Sequence, residues 1–288
     1  MPKTFIRLSG QWILSNNIFT KVGGAWQRIK TVWSKVNGVW VRTGGTVYLS
    51  INANVDNWNM RAAMVAAGYN PDAAPWQVEI TVAPGVTVYS TSTSIPAMQI
   101  DALPAGAGIN LINNGLIVGC AGAGGAPASV TNSGGFPVIV TDIPAQPGGA
   151  AGSALYIRSN CTVMNYGTIA GGGGGGGGAG ANDIHTYSNA GEGRCGHIYS
   201  SGGYGGAGAG ISAAGAGSVA NSLAGGNGGG WGNAGTAGAN GTVSKHSSCS
   251  SFAGAPKPGA VGGAGGRYVD GNAYVSWGVP GTRYGSIS

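Results

Sequence analysis

Apolar and polar residues alternate over short stretches at the start of the chain, and this alternation repeats every 14 residues. Each repeat carries a dipeptide of small residues followed two positions later by tryptophan, namely Ser9-Gly10, Gly23-Gly24 and Asn37-Gly38. Such dipeptides between apolar residues favour two-residue hairpin turns with positive φ. Residues 1–45 are therefore predicted to form a small β-meander.

Four tryptophans lie in this meander, and so short a sheet cannot bury them alone. We expect these attachment residues to pack against another chain or against the next domain; they are Trp12, Trp26, Trp33 and Trp40. Seven of the 14 basic residues also lie before residue 45. They indicate either a basic docking surface or charges that protect strand edges. No nucleic-acid-binding motif accompanies them, so nucleic acid is not a predicted partner.

Residues 46–104 alternate between strand-like and helix-like patterns, which predicts a small α+β connecting domain. The predicted strands cover Thr46–Ala53, Gln77–Ala83 and Val86–Tyr89. A helix is expected over Trp58–Ala67, with Asp56 or Asn57 as its N-cap. The Ser/Thr-rich run Ser90–Ser94 is better suited to a turn or an exposed edge.

Eight consecutive glycines, Gly171–Gly178, stand out in the remaining chain. Glycine has no side chain to bury, so this tract is either a flexible linker or an extended polyproline-II-type strand packed directly against other strands. The same lead-in, N-x-G-x-I-x-G, occurs at Asn113–Gly119 and at Asn165–Gly171. A repeated lead-in is typical of a repeated structural unit, and it favours ordered packing.

Residues 105–288 as a whole are predicted to form a glycine-rich domain. Its glycine tracts alternate with three segments of varied composition, which are Asn182–Tyr199, Thr242–Pro258 and Arg267–Tyr284. Tracts without side chains can hold a rigid scaffold but carry little chemical information, so recognition is expected in the varied segments. We expect the antiparallel course of the tracts to bring these three segments to one end.

The predicted recognition residues are aromatic and arginine side chains of these segments, because such side chains bury large rigid surfaces or make directed polar contacts. They are Tyr187, Arg194, Tyr199, Phe252, Arg267, Tyr268, Tyr274 and Trp277. Signatures of catalysis are missing: the sequence has no GxSxG elbow, no Walker A lysine and no HExxH, and its acidic residues form no pair close in sequence. We therefore predict no enzyme activity, no cofactor and no metal.

One constellation of possible ligands stays open. Cys195, His197, His246 and Cys249 form a zinc site, a disulfide or neither, because their spacing matches no common zinc motif. The chain shows no signal peptide and no membrane-spanning run, so it is expected to be made in a cytoplasm and not to insert in a membrane. Reduced thiols are the default expectation for that compartment.

The lead-in and polyglycine run of Asn165–Gly178 resemble the distal tail-fibre adhesins of T-even-type bacteriophages, and this resemblance covers roughly residues 109–288. The 14-residue tryptophan repeats are similar to repeats in other phage tail proteins. The resemblance implies a mainly β or irregular fold in which residues 105–288 form a sandwich of polyglycine-II helices. It also implies that the segments between the tracts bind the host.

As a member of that family, the chain would be a receptor-binding protein of the virion tail, assembled in the host cytoplasm. Its partners would be a bacterial outer-membrane receptor and, through the N-terminal region, another tail-fibre or tail protein. The alternative is a non-catalytic structural or ice-binding-like polyglycine protein. Ice binding requires a regular flat array, which the irregular Tyr, His and Arg segments interrupt.

Overall fold

The computed structural model describes residues 5–8, 11–14, 19–28, 32–36, 39–44, 46–73, 76–132, 140–188, 194–249 and 254–288. In most of the strands before residue 45, and in parts of the segments near residues 131–141 and 185–197, it describes the backbone only. Strands dominate these residues, accompanied by one short α-helix. The mainly β fold predicted from the sequence is therefore confirmed.

Six short strands in the first 44 residues form three antiparallel hairpins. In pairs, they are β1 (Phe5–Leu8) with β2 (Gln11–Leu14), β3 (Phe19–Val22) with β4 (Ala25–Arg28), and β5 (Val32–Val36) with β6 (Val39–Gly44). The described turn, Gly23-Gly24, has φ of 59° and 87°, in the left-handed region that glycine adopts readily. Within the described residues no strand pairs join one hairpin to the next. In the described residues the predicted meander consists of three two-stranded hairpins, and each 14-residue repeat supplies both strands of its own hairpin.

The next part of the chain supplies short strands and the α-helix. In chain order they are β7 (Thr46–Ile51), β8 (Val55–Asp56), β9 (Trp58–Asn59), α1 (Met60–Ala66), β10 (Gln77–Val82), β11 (Thr87–Tyr89), β12 (Met98–Ile100), β13 (Gly108–Asn113), β14 (Leu116–Val118), β15 (Ser129–Asn132), β16 (Val140–Ile143), β17 (Leu155–Ile157), β18 (Cys161–Asn165) and β19 (Thr168–Ala170).

The last third of the chain adds nine strands and two short 3-10 helices. They are β20 (Ala181–Ser188), β21 (Arg194–Ser201), β22 (Val219–Ala220), β23 (Leu223–Ala224), β24 (Val243–Lys245), η1 (Ser247–Cys249), β25 (Arg267–Asp270), η2 (Asn272–Tyr274), β26 (Val275–Val279), β27 (Thr282–Tyr284) and β28 (Ser286–Ile287).

Three parallel sheets of five strands each form the main body of the protein. The first sheet contains β7, β10, β13, β18 and β26; the second contains β8, β11, β14, β19 and β27; the third contains β9, β12, β17, β25 and β28. In every coil the chain passes through the first, the second and then the third sheet. Five successive coils therefore build a three-sided parallel β-solenoid around one apolar core.

Stacked apolar side chains fill this core, because equivalent positions in successive coils point inward. One stack on the first sheet runs in register through Leu49, Ile80, Leu111, Val163 and Trp277. Its three central members are fully buried. Burial of each such side chain contributes about 1.5 to 3 kcal/mol, which offsets the entropy lost on ordering the coil.

The helix α1 starts later than predicted. Asn57 has a φ of 46°, outside the helical region, and Trp58 and Asn59 pair with the third sheet as β9. Asn59 is therefore the N-cap, and its side chain accepts a hydrogen bond from the backbone N–H of Ala62 at 2.9 Å. The helix packs Met60 and Met64 into the solenoid core.

The predicted boundary between residues 104 and 105 falls inside the solenoid. Strands β10 and β13 lie on opposite sides of it in sequence, yet they pair from Gln77 with Gly108 to Val82 with Asn113. One core extends from Val47 to Val269. Residues 46–104 therefore supply the first two coils and do not form a separate α+β unit.

The repeated N-x-G-x-I-x-G lead-in marks one corner of the solenoid in two successive coils. Asn113 and Asn165 are fully buried there, and Asn113 Nδ2 donates to Asn165 Oδ1 at 2.8 Å. Asn165 Nδ2 donates in turn to the carbonyl oxygens of Pro280 and Thr282 in the next coil. These bonds satisfy buried amides that would otherwise be costly. The lead-in therefore encodes an asparagine ladder at a corner.

Two long insertions leave the solenoid after this corner, one between β14 and β17 and one between β19 and β25. They contain eight extended tracts, which together form the glycine lattice: residues 119–128, 144–152, 171–180, 202–210, 213–218, 225–230, 233–241 and 257–266. The predicted tract 202–241 comprises four of these and the turns between them. The chain thus builds a second, differently packed body on the same coils.

The tract 171–180 lies at the centre of the lattice and is fully buried. From Gly172 onward its N–H groups donate in rotation to three neighbouring tracts. Three of these bonds are Gly172 to Gly152 (3.0 Å), Gly173 to Ala209 (2.7 Å) and Gly174 to Asn233 (2.9 Å). Its carbonyl groups accept from three others, for example from Gly122, Gly229 and Gly263. Six neighbours at a three-residue period are the arrangement of polyglycine-II packing. Gly171–Gly178 is therefore an extended strand packed against other strands and not a flexible linker.

Candidate functional site

Four segments connect the tracts at the end of the lattice far from the solenoid, and we call this end the tip. It consists of the hairpins β15–β16, β20–β21 and β22–β23 and of residues 242–249 and 254–256, which include β24 and η1. Strand β24 adds to β20 in a three-stranded sheet, and β15 contacts β21. The lattice therefore gathers chain segments that are far apart in sequence.

Four exposed aliphatic side chains lie at the tip. They come from four different strands and are Ile143, Ile198, Val219 and Val243, with 49%, 50%, 69% and 37% of their surface accessible. Exposed apolar side chains that share one end of a molecule with polar turns are candidate contacts for a partner. The sequence pattern did not reveal these residues, because each is a lone apolar residue among polar ones and only the fold brings them to one end.

Polar bonds fix the position of the hairpin β22–β23 at the tip. Asn182 Nδ2 donates to the carbonyl oxygen of Asn221 at 3.1 Å, and Asn221 Nδ2 donates to that of Ser201 at 2.8 Å. At the turn itself, Asn221 and Ser222 have φ of 48° and 64°. Such angles are unfavourable for serine and cost about 1 to 3 kcal/mol, so the surrounding bonds hold this turn in a strained conformation.

A charged cluster joins three segments beneath the tip. Lys257 forms an ion pair with Asp142 of β16, and its Nζ lies 5.8 Å from the centre of the Tyr199 ring. The hydrogen bond to Asp142 raises the pKa of Lys257. Burial raises the pKa of Tyr199, and nearby Asp183 adds to this effect, whereas Lys257 opposes it. Asp183 is fully buried and accepts from the Ala255 N–H at 2.8 Å, so the cluster fixes the tip on the lattice.

Cys195, on β21, takes part in a disulfide. The expectation of reduced thiols is therefore wrong at this position; among the described cysteines Cys120 and Cys161 are free. A disulfide sulfur is not a zinc ligand, which favours the disulfide alternative for this constellation. In the part of the chain that the structure describes, no three His, Cys, Asp or Glu side chains are grouped so that they could hold a metal ion.

The predicted recognition residues separate into two sets, and the first belongs to the tip. Tyr187 lies on β20, opposite Cys195, and Arg194 starts β21; only their backbone is described. Tyr199 is half-buried in the charged cluster. Phe252 lies outside the described residues. The described parts of the segments Asn182–Tyr199 and Thr242–Pro258 thus lie at one end.

The third predicted segment, Arg267–Tyr284, lies in the solenoid and not at the tip. Arg267 and Tyr268 are on β25, Tyr274 is in η2 and Trp277 is on β26. These residues and Arg283 close the last coil; Tyr268 and Trp277 are 5.9 Å apart between ring centres. The Arg283 guanidinium lies 4.7 Å from the Trp277 ring centre. Side chains of this segment alternate between the core and the solvent, as in other strands. Its polar and aromatic composition did not indicate this alternation.

The attachment tryptophans lie on β2, β4, β5 and β6, and their side chains are outside the described part of the structure. Their predicted burial therefore stays a prediction. None of the described helices is long and apolar enough to cross a membrane.

Comparison with known proteins agrees with this architecture. The chain resembles a protein in the crystal structure of the gp37-gp38 adhesin tip complex of the bacteriophage S16 long tail fiber, with a TM-score of 0.51 and 21% sequence identity. The alignment covers 86% of this chain and 84% of that one, which establishes a similar fold. No curated protein sequence matches the chain.

A family description, "Phage tail fibre adhesin Gp38", matches residues 46–288, which are the whole solenoid and the whole glycine lattice. This match indicates a structural, non-catalytic protein of the virion tail. It begins where the three N-terminal hairpins end. The chain belongs to the family of phage tail fibre adhesins of the Gp38 type.

Proposed function

We propose that this adhesin is the distal receptor-binding protein of a tail fibre and that it recognises an outer-membrane protein of the bacterial host through the tip. The observation that carries the proposal is that four exposed aliphatic side chains lie on different strands at the same end of an ordered lattice. Exposed apolar groups beside polar turns favour a protein surface as partner, since desolvating them is favourable and the rim supplies hydrogen bonds.

Rigidity of the scaffold strengthens this proposal. A binding surface held in its bound shape loses little conformational entropy on association, and more of the contact energy appears as affinity. The hydrogen bonds of the buried Asp183 and those that fix Asn221 supply this rigidity. Tyr187, Arg194, Tyr199 and Phe252 are proposed as further contacts, because aromatic and arginine side chains dominate binding energy at protein interfaces.

A pair of matched variants tests the tip. Val219 at the tip and Val261 on the lattice side have 69% and 68% of their surface exposed. Val219→Asp should weaken binding of the purified protein to host cells by about tenfold or more, because it places a charge in an apolar contact. Val261→Asp should leave binding unchanged. Cell binding and competition with phage adsorption are the measurements, and melting temperature verifies the fold of both variants.

Two outcomes would overturn the assignment of the tip. Full binding by Val219→Asp, together with full binding after Ile198→Asp, would place the receptor site elsewhere. Equal loss in Val219→Asp and Val261→Asp would indicate a general effect of added charge. Binding to host cells stripped of outer-membrane proteins would exclude a protein receptor.

We also propose that residues 1–45 attach the adhesin to another tail-fibre protein through Trp12, Trp26, Trp33 and Trp40. The protein with a similar fold was solved as a gp37-gp38 complex, and the family match leaves this region uncovered. Deletion of residues 1–45 should abolish incorporation into virions assembled in the host cytoplasm. The protein that lacks residues 1–45 should still bind host cells. Normal incorporation of this truncated protein into virions would contradict this role.

A further inference from the structure

A polar cleft lies on the solenoid, away from the tip. Its volume is about 360 Å³. It opens between the loop that joins β11 to β12 and the outer side of the third sheet, and its polar lining consists of Thr93, Ser94, Gln99, Ser153, Tyr156 and Asp270. The central tract of ten residues, rising about 3.1 Å per residue, separates this level from the tip by roughly 30 Å. The cleft is therefore independent of the tip.

Hydrogen bonds make one wall of the cleft rigid. The Ser90 hydroxyl lies 2.6 Å from the carbonyl oxygens of both Ser92 and Ile95. The hydroxyls of Ser92 and Ser94 are 2.9 Å apart, and the Ala97 N–H donates to the carbonyl oxygen of Ser153 across the cleft base at 3.2 Å. The Ser/Thr run predicted as a turn is thus a turn fixed by its own side chains.

The floor of the cleft is equally fixed. Gln99, Tyr156 and Asp270 are consecutive rungs on the outer side of the third sheet. Gln99 Nε2 donates to Asp101 Oδ1 at 2.6 Å. The Arg158 guanidinium lies 3.8 Å from the centre of the Tyr156 ring and pairs with Asp270 Oδ1 at 3.0 Å. Side chains held in this way form a preorganised site.

The chemistry of the lining selects a class of ligand. Hydroxyl and amide groups both donate and accept hydrogen bonds, and the single lining carboxylate is already paired with Arg158. The cleft therefore carries no free positive charge for a phosphate and little apolar area for a lipid. Its volume accommodates about one or two sugar rings, within the usual range of ligand sites. We propose that this cleft binds a saccharide through hydrogen bonds to the sugar hydroxyls.

Saturation-transfer NMR on the full-length protein tests the proposal. The probes are methyl glycosides of D-glucose, D-galactose, D-mannose, L-rhamnose and N-acetyl-D-glucosamine. At least one should receive saturation from the protein. Thr93→Val, which exchanges a lining hydroxyl for a methyl group, and Gln99→Leu should each weaken its binding about tenfold, the scale of one or two lost hydrogen bonds.

A matched control separates this effect from general changes to the surface. Thr162 is an exposed threonine on the first sheet of the same solenoid, so Thr162→Val makes the same chemical change outside the cleft. Binding should survive in Thr162→Val and in the tip variant Val219→Asp. Absence of transfer to every glycoside would overturn the proposal. So would unchanged binding in both cleft variants, or an equal loss in Thr162→Val, because the saccharide would then bind elsewhere.

Discussion

The glycine lattice is inserted into two of the five solenoid coils, yet the two bodies are held together in different ways. In the solenoid, side chains such as Leu111 and Ile157 fill a core and the backbone pairs along flat sheets. In the lattice, the interior consists of backbone alone, and successive residues of the central tract bond in rotation to different neighbouring tracts. One body depends on side-chain volume and the other on the absence of side chains.

This difference determines what each body tolerates. A side-chain core accepts substitutions of similar volume, since neighbouring side chains can adjust. The lattice interior has no atoms that can adjust without moving a backbone. A Cβ built on any glycine of Gly171–Gly178 would lie closer than 3.0 Å to backbone atoms of another tract. The lattice should therefore be far more sensitive to small substitutions than the solenoid.

The largest effect is expected from one methyl group in the lattice interior. In Gly174→Ala, the new Cβ would collide with the carbonyl oxygens of Gly263 and Ala264. We expect a loss of about 4 kcal/mol or more in unfolding free energy, above the usual cost of overpacking because the colliding atoms are backbone. Chemical denaturation measures this loss.

Gly230→Ala is the matched control, because a Cβ there would meet only the Asn233 side chain, at 3.6 Å. It should be neutral or stabilise the protein slightly, since alanine restricts the unfolded chain. Equal stability of Gly174→Ala and the parent protein would show that the lattice has no tightly packed interior.

A smaller effect is expected from the solenoid core, where the size of the new side chain should matter. Leu111 is fully buried in the central coil. Leu111→Ala should cost about 3 kcal/mol, whereas Leu111→Met should cost less than about 1.5 kcal/mol because it conserves volume. Unfolding free energies of the two variants measure the difference. Equal losses would contradict the distinction between an adjustable and a fixed interior.

The third effect depends on pH and concerns a buried thiol of the solenoid. Burial raises the pKa of Cys161 from 9.0 to about 12. Above about pH 9 the unfolded thiol loses its proton while the folded one keeps it, so stability falls as pH rises, by up to about 1.4 kcal/mol per unit. Between pH 9 and 11 this thiol should remove roughly 2 to 3 kcal/mol.

The variant Cys161→Ala isolates that contribution. Other groups with raised pKa values, such as Tyr199 and Lys257, titrate in both proteins and cancel in the comparison. The stability difference between parent and variant should therefore shrink or reverse from pH 9 to pH 11. A difference that is constant with pH would mean that the folded thiol titrates normally.

The sequence revealed the lattice better than the solenoid. Gly171–Gly178 excludes a side-chain core by composition alone, and the lead-ins at Asn113 and Asn165 identified a repeated unit. The solenoid was hidden because its strands are as short as two residues and because the two insertions separate strands of the same coil. The boundary at residue 104 was misplaced for this reason.

The candidate site was predictable in part. The sequence identified Asn182–Tyr199 and Thr242–Pro258 as candidate segments, because their varied residues interrupt the glycine-rich tracts. Ile143 and Val219 were missed because a single apolar residue in a polar turn has no periodicity to detect. Arg267–Tyr284 was assigned to recognition because its polar and aromatic residues resemble a loop. Its inward positions become visible only when the preceding coil is stacked against it.

The three-residue period of the central tract also limits how the glycine lattice can change in length during evolution. Polyglycine-II has three residues per turn and rises about 3.1 Å per residue. Inserting one or two residues would turn every later N–H towards the wrong neighbouring tract. Inserting three residues in each tract keeps every N–H directed at its original neighbouring tract and lengthens the glycine lattice by about 9 Å. Heritable length variation is therefore restricted to triplets within the tracts, whereas the tip segments are free to vary by any number of residues.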